Sequence, residues 1–161
     1  MRPPDFHDAF EVDGNLIIIR TMRPEDRKIE QDFVQHLSVK SRYNRFHSTV
    51  KELSPVWLER FTNVNYPHEM ALVATTEANG VELEIGVARY ARDENSTAAE
   101  MAIVVADEWQ RRGIATRLLQ GLWSCAQVAG ISGFRASVLA DNRSMYALAR
   151  KLGYNLSSNN T

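Results

Sequence analysis

Apolar residues change their spacing several times along this chain, and each change marks an element. Leu16-Ile17-Ile18-Ile19-Arg20 is a short β-branched run and reads as a first strand. From Pro24-Glu25-Asp26 the spacing turns helical, with Ile29, Phe33, Val34 and Leu37 on one face. Ser54-Pro55 offers a cap followed by proline at the first helical position, with Trp57, Leu58 and Phe61 turned inward. Met70 to Ala74 and Leu83 to Ala88 flank Asn79-Gly80, a dipeptide that favours a tight hairpin. Asp93-Glu94-Asn95-Ser96 is a second turn and leads to a strand around Ala98 to Val105. Leu118, Leu119, Leu122, Trp123 and Ala126 then mark one face of a helix that stops at Gly130. Phe134 to Leu139 reads as the next strand. Asp141-Asn142 caps a last helix, with Met145, Leu148, Ala149 and Leu152 inward and Gly153 beyond its end.

The resulting order, β-α-α-β-β-β-α-β-α, is that of an α/β (α+β) domain. Its strand–helix–strand unit from residue 98 to 139 should place two strands in parallel through a right-handed crossover. Residues 1–14 read as a flexible lead-in and residues 15–161 as a single domain. No repeat or linker interrupts them.

Composition narrows the classes. The 161 residues are 44% hydrophobic and 24% charged, the balance of an ordinary globular domain large enough for a real core. Nineteen basic and twenty acidic residues give a net charge of −1, which argues against nucleic acid or an anionic membrane as the main partner. A lone cysteine, Cys125, allows no internal disulfide and no thiolate metal site, so the chain reads as cytoplasmic. The polar start carries no apolar run like that of a signal peptide, and no stretch approaches the ~18–20 apolar residues of a membrane span. The four histidines, His7, His36, His47 and His68, show no metal-ligand spacing. His68 lies nearest a candidate site, where a surface role is the simpler reading.

The chemistry concentrates between residues 99 and 119. An apolar strand carrying one carboxylate, Glu100, runs through Gln110-Arg111-Arg112-Gly113-Ile114-Ala115 into a helix. The first-turn amides of a helix lack intrahelical partners, and its dipole favours negative charge there. Gly113 allows a backbone conformation closed to other residues, and two arginines would strengthen the pull on a phosphate. On these residues alone the loop reads either as a phosphate cradle or as a plain strand–helix connection. It has neither the spacing of a P-loop nor the three-glycine dinucleotide fingerprint. Glu100 is either a solvent-facing residue or a partly buried one, with a pKa raised from ~4.3 toward the range of a general base. Asn142 reads as a helix cap. Tyr146 could donate a proton or simply pack against the sheet, and Cys125 reads as core.

The segment Gln110 to Ala115 resembles the Gln/Arg-x-x-Gly-x-Gly/Ala acyl-CoA loop of the GNAT N-acetyltransferases. The element order matches from Asn15 to Tyr154. Further words resemble the acetyltransferase domains of bacterial protein lysine acetyltransferases: Arg23-Pro24-Glu25-Asp26, Leu37-Ser38 with Ser41-Arg42-Tyr43-x-Arg45-Phe46, Glu69 to Ala74, and Asn142 to Tyr154. This resemblance implies a mixed, mostly antiparallel central sheet with a splayed parallel strand pair and flanking helices. It implies acetyl-CoA bound across the splay, with the backbone of Ile103, Val104 and Val105 aligning the pantetheine. The amides of Arg111, Arg112, Gly113, Ile114, Ala115 and Thr116 would hold the pyrophosphate, and Asn142 would lie near the pantetheine arm. Glu100 takes the position of the family's catalytic glutamate, a strand amide near Val104 would stabilise the oxyanion, and no metal is required.

Two departures stand out. The tyrosine that many members place four residues before the last helix's glycine is here Ala149, with Tyr146 a turn earlier. The polar segment from Asn155 to Thr161 is poorly suited to a strand, so the end of the sheet is expected to be missing or supplied by another subunit of a homodimer. The expected function is transfer of an acetyl group from acetyl-CoA to a primary amine, a protein lysine foremost. The alternatives are a module that senses acetyl-CoA with little turnover and an acetyltransferase for small-molecule amines.

Overall fold

A computed structural model describes residues 2–36, 55–138 and 156–160. Among them seven strands form one sheet in sequence order. They are β1 (His7–Val12), β2 (Asn15–Thr21), β3 (Glu69–Ala78), β4 (Val81–Arg92), β5 (Ala98–Val105), β6 (Gly133–Val138) and β7 (Leu156–Asn160). The helices are α1 (Arg27–His36), α2 (Pro55–Thr62) and α3 (Ile114–Val128). Neighbours from β1 to β5 pair antiparallel. The β5–β6 and β6–β7 pairs are parallel. The expected mixed, mostly antiparallel sheet with flanking helices is therefore present. The last helix expected after Asp141, with Asn142 and Tyr146, lies outside the described residues, as does the sequence word from Leu37 to Phe46.

Two expectations are corrected. Residues 7–12, read as lead-in, form β1 and pair along their length with β2. The connection is Asp13-Gly14, both at positive φ (49° and 82°), the same two-residue hairpin geometry as Asn79-Gly80 at 54° and 79°. At the other end, polar Leu156–Asn160 forms β7 beside β6, so the strand after β6 need not come from another subunit. Main-chain hydrogen bonds make the ladder, and a polar sequence is what an edge strand tolerates best.

Helix α3 covers one face of the sheet. Its Leu118, Leu119 and Leu122 pack with Leu72, Tyr90 and Met101. The helix ends where Gly130, at φ +84°, lets the Ile131 N–H reach back to the Ala126 carbonyl at 2.9 Å and the Gly130 N–H to that of Gln127 at 3.1 Å. Helices α1 and α2 cover the other face, where Phe33 and Val34 meet Val73, Val87 and Val104. None of the described helices is long and apolar enough to cross a membrane.

The α1 face also buries charge. Arg20 on β2 grips both Asp26 carboxylate oxygens at 2.8 Å each, and Asp26 accepts the Arg23 N–H at 2.7 Å ahead of α1. Deeper in, Arg89 on β4 donates to Glu30 of α1 at 3.2 Å, with its guanidinium 4.4 Å from the Phe61 ring centre. Glu84 is buried beside this pair. Burial first, then the negative charge of Glu30, holds its carboxyl well above the ordinary carboxylate value. Folding therefore takes up a proton in the pH range above ~4.3. Stability from this site is greatest below that value and declines as pH rises toward the folded-state pKa. In thermal melts at pH 5 and pH 8, Glu84→Gln should lose less stability between the two than the parent chain. Equal losses would remove Glu84 as the source.

Candidate active site

Strand β5 is shared unequally by its neighbours. It pairs with β4 as far as Val105↔Gly86, but with β6 over only four residues, from Ala98↔Gly133 to Met101↔Ala136. From Ala102 onward its β6 side has no ladder partner among the described residues. This is a splay between parallel strands. The Ala106 N–H bonds the Ile85 carbonyl at 2.8 Å. Strand alternation therefore turns the main chain of Val104 toward β4, and that of Ile103 and Val105 into the gap. The Val105 carbonyl accepts the Gln110 side-chain amide at 2.9 Å, which ties the following loop to the strand end. An oxyanion donor near Val104 thus narrows to the N–H of Ile103 or Val105.

The loop delivers the chain to α3 through a short turn at Asp107–Trp109. Arg111 and Gly113 both take left-handed backbone, at φ 63° and 86°. A side chain at Gly113 would have open space, so glycine is required there for its torsion, not for room. Gly113 precedes α3 with no side-chain cap, and the Arg117 N–H is the first to turn back, to Gly113 at 3.2 Å. The amides of Ile114, Ala115 and Thr116 thus belong to an uncapped first turn beside the splay. The two arginines diverge. Arg111 is exposed and makes no ion pair among the described residues. Arg112 is engaged by Asp13 of the β1–β2 turn at 2.7 Å, with its guanidinium 5.4 Å from the Trp109 ring centre. One turn on, Arg117 pairs with Asp8 of β1 at 3.1 Å.

Glu100 lies on β5 on the α1 and α2 face, since Ala99 and Met101 face α3. It is half-exposed, with 42% of its side chain open. Its Oε2 is 3.4 Å from Nη2 of Arg135, its register partner on β6. The same nitrogen bonds Asp93 at 2.8 Å. Glu100 is thus partly buried, with a cation beside it in addition to its apolar neighbours along β5. Cys125 is buried in the core, where burial pushes its thiol up to about 11, so it is no nucleophile at neutral pH. His68 is exposed.

Ile103 to Val105, Arg111 to Thr116 and Glu100 therefore lie on one strand–loop–helix unit. Sequence reasoning missed Gln110 as a brace, Asp13 as the partner of Arg112, and the Arg135–Asp93 pair. A signal existed for placing Arg135 beside Glu100: opposite charges at 100 and 135 stand in two apolar strands expected to run in parallel.

A splayed strand pair running into an uncapped helix is the arrangement that the resemblance to the GNAT N-acetyltransferases implies. Residues 17–155 match the family model of the acetyltransferase (GNAT) domain, and the chain belongs to that family. It is 35% identical over 145 residues to Acetyltransferase PA5475 of Pseudomonas aeruginosa, covering 88% of this chain and 76% of that protein. It is 33% identical over 141 residues to Acetyltransferase Pat of Mycolicibacterium smegmatis, covering 87% of this chain but only 41% of that longer protein. Among solved structures, the GNAT domain of S. lividans PAT is similar with a TM-score of 0.80 and 28% identity, over 92% of this chain and 88% of that one. A cAMP-binding acyltransferase from Mycobacterium smegmatis matches with a TM-score of 0.60 and 30% identity, over 92% of this chain and 43% of that one.

Proposed function

We propose that this acetyltransferase moves an acetyl group from acetyl-CoA to a primary amine, the side chain of a protein lysine, with Glu100 as general base. The observation that carries the reading is that β5 bears both a carboxylate and the gap, and leads directly to an uncapped helix N-terminus. Acetyl-CoA supplies the acetyl group as an activated thioester. The main chain of Ile103 and Val105 would align the pantetheine, and the amides of residues 111–116 would hold the pyrophosphate. Asn142 joins the donor-binding set on the strength of the sequence resemblance.

A lysine of pKa ~10.4 keeps its proton at neutral pH. Glu100, directly or through a water, accepts that proton and frees the nitrogen lone pair. The new C–N bond then replaces the C–S bond, while the N–H of Ile103 or Val105 stabilises the oxyanion. With Ala149 at the family's tyrosine position, the departing thiolate takes its proton from solvent, to which the new amide nitrogen gives up its second proton. The lysine acceptor is supported by the sequence words shared with bacterial protein lysine acetyltransferases.

The test is an acceptor screen with acetyl-CoA, covering folded proteins, lysine peptides, polyamines and aminoglycosides. CoA thiol release is followed and the acetyl group located by mass spectrometry. Release that depends on a protein acceptor, with acetyl on lysine Nζ, is expected. Turnover with small amines alone would overturn the protein acceptor. Binding of acetyl-CoA without release by any amine would favour a sensing module.

A further inference from the structure

Three charged groups meet where β5 and β6 begin to part. Arg135 stands opposite Glu100 one pair before the ladder ends. Its Nη2 is 2.8 Å from Asp93 Oδ1 and 3.4 Å from Glu100 Oε2. The cation is thus held firmly by one carboxylate and loosely shares the other. Stability does not explain the arrangement. Ion pairs this exposed contribute little, whereas the Nε of Arg135 is buried with no hydrogen-bond partner among the described residues, which is unfavourable. The β4 register partner of Glu100 is Ala91, itself opposite Glu69 of β3, and Arg89, on the same face of β4, is engaged by Glu30.

We propose that Arg135, restrained by Asp93, is a positioning residue that orients the Glu100 carboxylate toward the acceptor's proton. The proposal rests on Glu100 being the base. A guanidinium beside a carboxylate favours the charged form, and a second carboxylate on the same guanidinium offsets that influence. Removing Arg135 leaves Glu100 near Asp93 without a cation between them, so Glu100 holds a proton to higher pH. Neutralising Asp93 frees the guanidinium to close on Glu100, so Glu100 releases its proton at lower pH. Arg135 keeps its own proton throughout and takes no part in the transfer.

The test is the pH dependence of kcat/KM for the acceptor at saturating acetyl-CoA. The Arg135→Gln midpoint of the rising acid limb should move to higher pH by about half a unit or more, and the Asp93→Asn midpoint should move to lower pH. Arg135→Lys, which keeps the charge, should restore the parent midpoint. KM for acetyl-CoA should stay within about twofold in all three, since none touches the donor loop. A merely structural role would not shift the limb in opposite directions. If Arg135→Gln does not fold, the Asp93→Asn shift and the Arg135→Lys midpoint decide the matter. Glu100→Gln separates the two claims. Should it abolish the limb while the other variants leave the midpoint in place, the positioning role fails and the base stands. Should it keep the parent limb and rate, the base itself fails and Arg135 loses its object.

Discussion

Glu100→Gln is expected to lower kcat for acetyl transfer by about 10²–10⁴-fold, the usual contribution of a positioned general base. Affinity for acetyl-CoA should change by less than about twofold, because in the proposed arrangement the donor would be held by the backbone of β5 and α3 and not by this side chain. The glutamine keeps the volume and the hydrogen bond to Arg135 but cannot accept a proton, so the loss isolates proton transfer from packing. Raising the pH should recover part of the lost rate, since at alkaline pH more of the amine arrives already deprotonated. Rates with a verified acceptor, beside calorimetric binding of acetyl-CoA, provide the check. An unchanged kcat would move the base elsewhere, and a collapse in donor affinity would mean that Glu100 shapes the cofactor site instead.

The second large effect concerns folding. Asp26→Ala should cost about 3 kcal/mol, seen as a fall in Tm of roughly 6–12 °C for a chain of this size. The two side chains are only 11% and 5% exposed, for Arg20 and Asp26 respectively, and make two bonds of 2.8 Å. Asp26 also caps the N–H of Arg23, so its loss leaves two sets of donors without their acceptor. The cost falls at the lower end for breaking a buried pair because Arg20 retains Glu82 at 3.1 Å, near solvent. Replacing both partners with apolar residues, as in Arg20→Met with Asp26→Leu, should cost less than Asp26→Ala alone. A loss below about 1 kcal/mol by circular dichroism melts would show that the pair behaves like a surface bridge.

Most of the element order was legible because helical and β-branched spacing is strong wherever one face meets a core. Helices α1 and α3 and strands β2 to β6 follow from it. The same turn chemistry was readable at Asn79-Gly80 and passed over at Asp13-Gly14. The difference lies in the flanks: apolar runs stand on both sides of the first, whereas β1 reads His-Asp-Ala-Phe-Glu-Val and is an edge strand. Strand β7 escaped for the same reason, since an edge needs main-chain partners more than apolar side chains. Within the site, the loop and Glu100 were accessible from residue type and position. The fate of each arginine was not, because the Arg112–Asp13 and Arg135–Asp93 contacts join residues remote in sequence. The partial burial weighed for Glu100 came from its apolar neighbours along β5. Register across to β6 adds a cation to that environment.

The parting of β5 from β6 divides labour within a single strand. Between residues 103 and 105 the side chains serve the interior, while the main chain of Ile103 and Val105 faces outward into the gap. Recognition by main chain asks nothing of side-chain identity except that the strand keep its course. The sequence there can answer to packing alone, and the main-chain groups that face the gap persist under exchange of one aliphatic residue for another. The chain thereby keeps its constraint on residue type for Glu100, Gln110 and Gly113, where a carboxylate, an amide and a left-handed torsion have no generic substitute.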